Sequence, residues 1–378
     1  MGREQSSAIL IRDTKTASTD QLARPAPRLI VDLAAIQRNY GVLQSLAGTA
    51  AVGAVVKANA YGLGAERVVP ALADAGCRTF YVAHTSEGEE ARAALDGRDA
   101  DIFVFNGFWP SELETLKRAR LFPVINNLTQ LEQLRATAPG LPCAIHFDTG
   151  MSRLGLETSE ADHLLQTPDL LRGLDVRQIM SHLACADEPE HALNAQQLQR
   201  FRSLRQALPD FPASLSNSAG ALLGTEYHFD SLRPGLALFG GAPTPSIANP
   251  FEPTVRIEAP ILQIRTLAPG DPVGYGALFT ATKPMKTATL AAGYADGLLI
   301  ACGNGGAGRV GAVPTPILGR ISMDLISVDI SNVEGSVKPG DWVSFLGEDL
   351  QSLADNAQTI SYELLVRLGL RFHRVYRD

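Results

Sequence analysis

The stretch "AVGAVVKANAYGLGAERVVPALADAG", residues 51–76, sets a short β-branched run against a polar, glycine-rich turn and then a helical pattern. Val52, Val55 and Val56 read as a buried strand, and the apolar positions of "AERVVPALADAG" recur at three- and four-residue spacing until Gly76, a helix stop signal. Strand, turn and helix make one unit, and the chain repeats it. Further strand candidates are "TFYVAH" (79–84), "DIFVFN" (101–106), "FPVIN" (122–126), "CAIHFD" (143–148), "VRQIMSHL" (176–183), "ASLSNS" (213–218) and "SLRPGLALFG" (231–240). With the first run, "AVGAVVKA" (51–58), they number eight. Near-continuous apolar strands with helical crossovers and no hairpin spacing predict parallel strands closed as a (β/α)8 barrel, a TIM-like fold. An open doubly wound sheet is the runner-up.

Beyond residue 250 the texture changes. "VRIEAPILQIRTL", "TATLAAGYA", "TPILGRISMDLISVDI" and "DWVSFLG" are strand-like segments between Pro-Gly and Gly-rich turns, and helical periodicity returns only in "SYELLVRLGL". A mainly antiparallel β domain is expected there. The predicted organisation is an extension over 1–27, a barrel over 28–250 and a β domain over 251–378. The extension is polar and precedes two prolines, which predicts a mobile segment.

Composition narrows the function. The formal net charge of -7 argues against an electrostatic grip on nucleic acid, and no apolar run approaches the roughly 20 residues a membrane helix needs. Cys77, Cys143, Cys185 and Cys302 form no CxxC pair and no zinc spacing, so they are expected to be reduced and mostly buried, with no metal site. The first residues lack the apolar core of an export signal, which gives a cytoplasmic expectation.

In barrels of this kind the working residues sit at the C-terminal ends of the strands. The polar residues here fall at those places: Lys57 after the first strand, Asp148 and Arg153 after the fifth, His182 after the sixth, Asn217 and Ser218 after the seventh, Arg233 in the eighth. Singly, each is as well explained by a cap or a salt bridge. Together they define one polar pocket. Gly235 and "NSAG" suit a phosphate held by backbone N–H groups and a serine hydroxyl, and a phosphate site opposite a lysine is what pyridoxal phosphate requires. An aldolase acting on a sugar phosphate needs the same pair, and the residue chemistry leaves that choice open.

The set "AVVKANAYGLGA", "DTGMSRLGL", "NSAG", "RPGLALFGG", "VGYGALFTA", "GYADG", "GRISMDL" and "TISYELLVRLG", spread over residues 54–369, resembles the alanine racemases, pyridoxal-phosphate enzymes with a barrel and a β domain. The resemblance implies a Lys57 that holds the cofactor, releases it to the substrate amine and acts as a base at Cα, for which its amine must be neutral. Tyr275 would be the second base, on the opposite face. Arg233 would face the pyridine nitrogen without giving up a proton, and His182 would bridge Arg233 toward Tyr275. Tyr61, Ser218, Gly235, Leu236 and Tyr362 would hold the phosphate. Arg153 would meet the phenolic oxygen of the cofactor and the substrate carboxylate, and the Met323 backbone would also meet that carboxylate.

The resemblance also implies D-alanine supply for peptidoglycan and a head-to-tail homodimer in which each β domain completes the other chain's pocket. There is one departure. Many members of the family carry a carbamylated lysine at the position of His146, where its negative charge orients the arginine corresponding to Arg153. Histidine forms no such stable carbamate. Phe239, where a tyrosine is frequent, is a smaller departure. The competing readings are a relaxed-specificity racemase, a basic amino-acid decarboxylase and a non-catalytic cofactor carrier. The motif around Tyr275 argues against the last two.

Overall fold

The computed structural model describes residues 26–378. Most of the expected N-terminal extension, residues 1–25, lies outside the described residues.

Nine short parallel strand segments run in the spatial order Ala51–Val52, Ser231–Leu232, Ala213–Ser214, Asp175–Met180, Pro142–His146, Phe122–Ile125, Asp101–Val104, Thr79–Val82 and Ala54–Val55. The first and last are one stave divided at Gly53. Ala51 and Gly53 donate to the carbonyls of Asp230 and Leu232 on one side, while Val56 donates to Tyr81 on the other, so the sheet closes on itself. A Cβ at Gly53 would lie 2.7 Å from the Tyr81 ring, which explains the glycine at the division. The expected eight staves are therefore present and the open-sheet alternative is excluded. Strands such as Asp101–Val104, with Ile102, Phe103 and Val104 buried, are apolar in succession because the interior lies on one face and helices on the other.

The staves are shorter than the sequence suggests. The run 231–240 is a strand only at Ser231–Leu232 and continues as a 3-10 turn over Leu236–Phe239, and the run 51–58 ends as strand at Val55. Pro234 has no N–H for a ladder, and Gly235 and Gly240 bend the backbone. Helices start on caps readable from sequence: Asp32 accepts from Ala35 N–H at 2.7 Å ahead of Leu33–Ala47, and Asn127 from Gln130 N–H at 2.8 Å ahead of Leu128–Thr137.

The second layer is an eight-stranded, mostly antiparallel sheet built on the long strand Val255–Leu267. Arg28–Asp32, which precedes the barrel in sequence, belongs to this sheet, between Val255–Leu267 and the C-terminal strand His373–Arg377. Two helices precede the C-terminal strand, Leu350–Asn356, which the periodicity does not announce, and Ser361–Val366, which it does. The latter reaches back to the barrel rim. Among the described residues no helix is long and apolar enough to cross a membrane, and the cysteines are free, with Cys77, Cys143 and Cys302 buried.

Candidate active site

A cavity of about 720 Å³ opens at the C-terminal end of the barrel staves. Its wall brings together Lys57, Tyr61, Arg153, His182, Ser218, Arg233, Gly235, Leu236 and Tyr362, along with His146. The barrel gathers all but Tyr362 from five separate strand ends, and the helix Ser361–Val366 adds Tyr362, which is the spatial meaning of their scattered positions in sequence.

Lys57 sits where the first stave passes into a left-handed turn. Ala58, Asn59, Ala60 and Tyr61 have φ of 53, 54, 52 and 55°, although none is glycine. Each costs about 1–2 kcal/mol relative to the right-handed form, so the turn needs restraint from outside. Gly62 and Gly64, the two glycines of the motif, let the neighbouring domain supply part of it. Arg374 donates to Gly62 O at 3.0 Å and the Tyr376 hydroxyl to Leu63 O at 3.0 Å, with Tyr376 so close to Gly64 that a Cβ there would lie 2.1 Å from its hydroxyl. The Lys57 side chain is accessible because it faces the cavity. The enclosing walls, and then the charge of Arg153, lower its pKa, while Glu87 opposes them.

The loop that carries Arg153 is folded back on its own stave: Leu156 N–H donates to His146 O at 2.7 Å and Asp148 N–H to Leu156 O at 3.0 Å. Gly155, at φ +108°, makes this possible, since a Cβ would lie 2.6 Å from Asp148 N. On the opposite wall the Ser218 hydroxyl accepts from Gly235 N–H at 2.9 Å and Ala237 N–H at 3.2 Å. Both of its lone pairs are thereby used, and its proton is left to donate.

Arg233 is buried; its terminal nitrogens donate to Ser214 Oγ, Ser181 O and, at 3.4 Å, Leu215 O. Its Nε has no partner among the described residues. Burial lowers the guanidinium to about 10, which still leaves it charged at neutral pH. Tyr61 is pushed up by burial, and Tyr362, whose ring is partly open to the cavity, up to about 12 by desolvation within the surrounding walls and then by Asp187, so both stay phenols. His182 is driven well below the usual imidazole range, first by burial and then by Arg233 and Arg153. Its Nε2 lies 3.5 Å from Asn217 Nδ2, and no hydrogen bond joins it to Arg233.

Family models for the alanine racemase N-terminal domain and C-terminal domain match residues 31–243 and 254–376. The chain belongs to the alanine racemase family. It is 45% identical to a catabolic alanine racemase of Agrobacterium fabrum, over 92% of this chain and 91% of that protein. To the alanine racemase of Brucella abortus it is 42% identical, over 92% and 93%. Among solved structures, the alanine racemase of Bartonella henselae with covalently bound pyridoxal phosphate superposes with a TM-score of 0.88 at 36% identity, covering 93% of this chain and 99% of that one. The biosynthetic alanine racemase of Pseudomonas aeruginosa does so at 0.87 and 35%, covering 94% and 100%.

Two residues singled out by the alanine racemase resemblance lie apart from the cavity. Tyr275 begins a 3-10 turn of the β domain and is 70% exposed, and Met323 is 52% exposed. Neither lines the cavity of the single chain. Phe239 is buried against Tyr61, ring centroids 4.8 Å apart.

Two residues of this site escaped the sequence reading. Asn126, at the end of the fourth stave, accepts through its Oδ1 from His146 Nδ1 at 2.9 Å. Glu87 binds the backbone at both the first and second strand ends. The place of Asn126, polar at the C-terminal end of an apolar run, was a usable signal, and that of Glu87, third in its helix, resembled an ordinary cap.

Proposed function

We propose that this chain is a pyridoxal-phosphate-dependent alanine racemase that interconverts L-alanine and D-alanine with two bases, Lys57 and Tyr275. The observation that carries the reading is the meeting, in one cavity, of the Lys57 amine, the spare Nε–H of Arg233 and the Ser218–Gly235 turn. This donor set fits the cofactor, and the covalent pyridoxal phosphate of the Bartonella henselae enzyme supports it. When bound, the cofactor supplies an aldehyde carbon for an amine and a ring that draws electron density from Cα.

Ser218, its lone pairs already used, would donate its hydroxyl proton to a phosphate oxygen, and the phenols of Tyr61 and Tyr362 would do the same. Gly235 admits the group closely, because a Cβ there would lie 2.2 Å from the Tyr61 hydroxyl and displace that donor. Arg233 would offer its Nε–H to the ring nitrogen and keep its proton, so the bound cofactor would supply only moderate electron withdrawal. Prompt return of the proton to Cα is then favoured over side reactions. Lys57, its pKa lowered, takes or returns that proton on one face; Tyr275 serves the other. Arg153 and the Met323 backbone hold the substrate carboxylate.

Because Tyr275 and Met323 are exposed on the single chain, the reading includes a head-to-tail homodimer that brings these two residues of a second copy to the cavity mouth. We read the physiological role as D-alanine supply for peptidoglycan, in the cytoplasm. A chiral assay across alanine, serine, lysine and arginine tests the substrate, with alanine expected to turn over fastest. Lys57→Ala should lose the borohydride-reducible attachment of the cofactor and nearly all turnover. Tyr275→Phe should keep the attachment and lose about 100-fold or more in rate. Unchanged racemisation in both directions by Tyr275→Phe removes the second base from the mechanism.

A further inference from the structure

We infer that Glu87 is the positioning residue for Lys57, its carboxylate clamping the turn that carries the lysine to the end of the adjacent barrel stave. Oε1 accepts from Ala58 N–H at 2.7 Å, and Oε2 from Ala83 N–H at 2.8 Å and His84 N–H at 3.1 Å. Ala58 follows Lys57 directly and is the first of the left-handed residues. The other hydrogen bonds of 57–61 stay local, from Ala60 N–H to Val56 O at 2.9 Å and from Gly64 and Ala65 N–H to Asn59 at 3.0 and 2.7 Å, whereas the Glu87 bond ties the turn to the adjacent stave. The contacts of Arg374 and Tyr376 restrain only the far end of the turn, at Gly62 and Leu63.

A carboxylate suits the task and a carboxamide does not. Three N–H groups converge on two acceptor oxygens, and charge strengthens each bond. Glutamine keeps the shape but offers one oxygen, so its amide hydrogens would face at least one backbone N–H. The negative charge also raises the proton affinity of Lys57 against the lowering by burial and Arg153. Glu87 thus sets both the place and the protonation of the amine.

The inference rests on Lys57 being the cofactor lysine, and the experiment separates the two. Apoenzyme is mixed with pyridoxal phosphate, the attachment is trapped with borohydride over time and pH, and the labelled lysine is located by peptide mass. Label on another lysine in the unaltered protein overturns the reading of Lys57 and this inference with it. With label at Lys57, Glu87→Gln is expected to attach about tenfold more slowly, a charged hydrogen bond being lost. The acid limb of its pH profile should move to lower pH, because removing a negative charge lowers the pKa of the amine. In the loaded enzyme kcat should fall about tenfold with KM for alanine changed by less than about threefold. A Glu87→Gln protein with the unaltered attachment rate and pH profile overturns the inference alone, whatever its melting temperature. Should that variant fail to fold, Glu87→Asp carries the test. The shorter carboxylate reaches only one strand end, so slowed attachment is expected and the unaltered rate overturns the clamp.

Discussion

His146 shows how one side chain's protonation follows from its neighbours. Asn126 donates its amide hydrogens to Phe105 O at 2.9 Å and Val124 O at 3.0 Å, which fixes its oxygen as the acceptor for His146 Nδ1–H. The imidazole therefore presents Nε2 as an acceptor. Burial first, then the charges of Arg233 and Arg153, depress its pKa to about 3. A ring that stays neutral gives Arg153 no counter-charge and no carbamate. Activity is expected to be the same in carbonate-free buffer as in bicarbonate, and loss that bicarbonate restores would contradict this. Stability carries a second consequence. The unfolded histidine binds its proton near 6.5, whereas the folded one does so only near 3, so between these values falling pH favours unfolding. His146→Asn should make the melting temperature fall less steeply from pH 7 to pH 5 than in the parent protein, and parallel slopes would sink the assignment.

At the scale of elements, the Lys57 turn is a joint between the barrel and the C-terminal helix Ser361–Val366. Gly62 has φ +83°, and a Cβ there would lie 2.5 Å from Leu365 O, a backbone atom that cannot swing away. Gly97 has φ +80° and open space. Gly97→Ala is expected to cost about 1 kcal/mol for the dihedral alone, and Gly62→Ala about 1–3 kcal/mol more for the displaced helix. Denaturant unfolding of the two variants checks the difference, and equal losses would mean that the helix gives way freely. The staves and most of the sheet strands were legible because each buries a continuous or alternating apolar run. Where elements end was less legible. Residues 233–240 are apolar enough for a strand, yet Pro234 and two glycines turn them, and Leu350–Asn356 is too short for periodicity to declare. The pairing of Arg28–Asp32 with His373–Arg377 joins opposite ends of the chain, and no local pattern encodes it. The strand-end polar residues of the site stood out, whereas Glu87 did not, because its partners are backbone groups of two loops that only the closed barrel brings together.

On the whole molecule, the decisive feature is what one chain leaves open. The cavity has Lys57 in its wall, while Tyr275, Leu278, Met323 and Leu325 stand exposed on the β domain, and Leu154, Ile360 and Tyr362 are exposed residues of the cavity wall. Large apolar side chains at both places are what an interface between two copies would cover. A two-fold dimer is self-complementary, so bringing one copy's Tyr275 to the other's cavity does the reverse as well, giving two composite sites. Mixing Lys57→Ala and Tyr275→Phe chains by co-refolding tests this. In a mixed dimer with composite sites, one site collects both lesions and the other none; with self-contained sites, each keeps one lesion. Unbiased pairing makes about half of the dimers mixed, each with one intact site of two, so roughly a quarter of the parent activity should return. Self-contained sites return almost none. Verified mixed dimers that stay inactive would confine Tyr275 to its own chain and leave its exposure without a catalytic meaning.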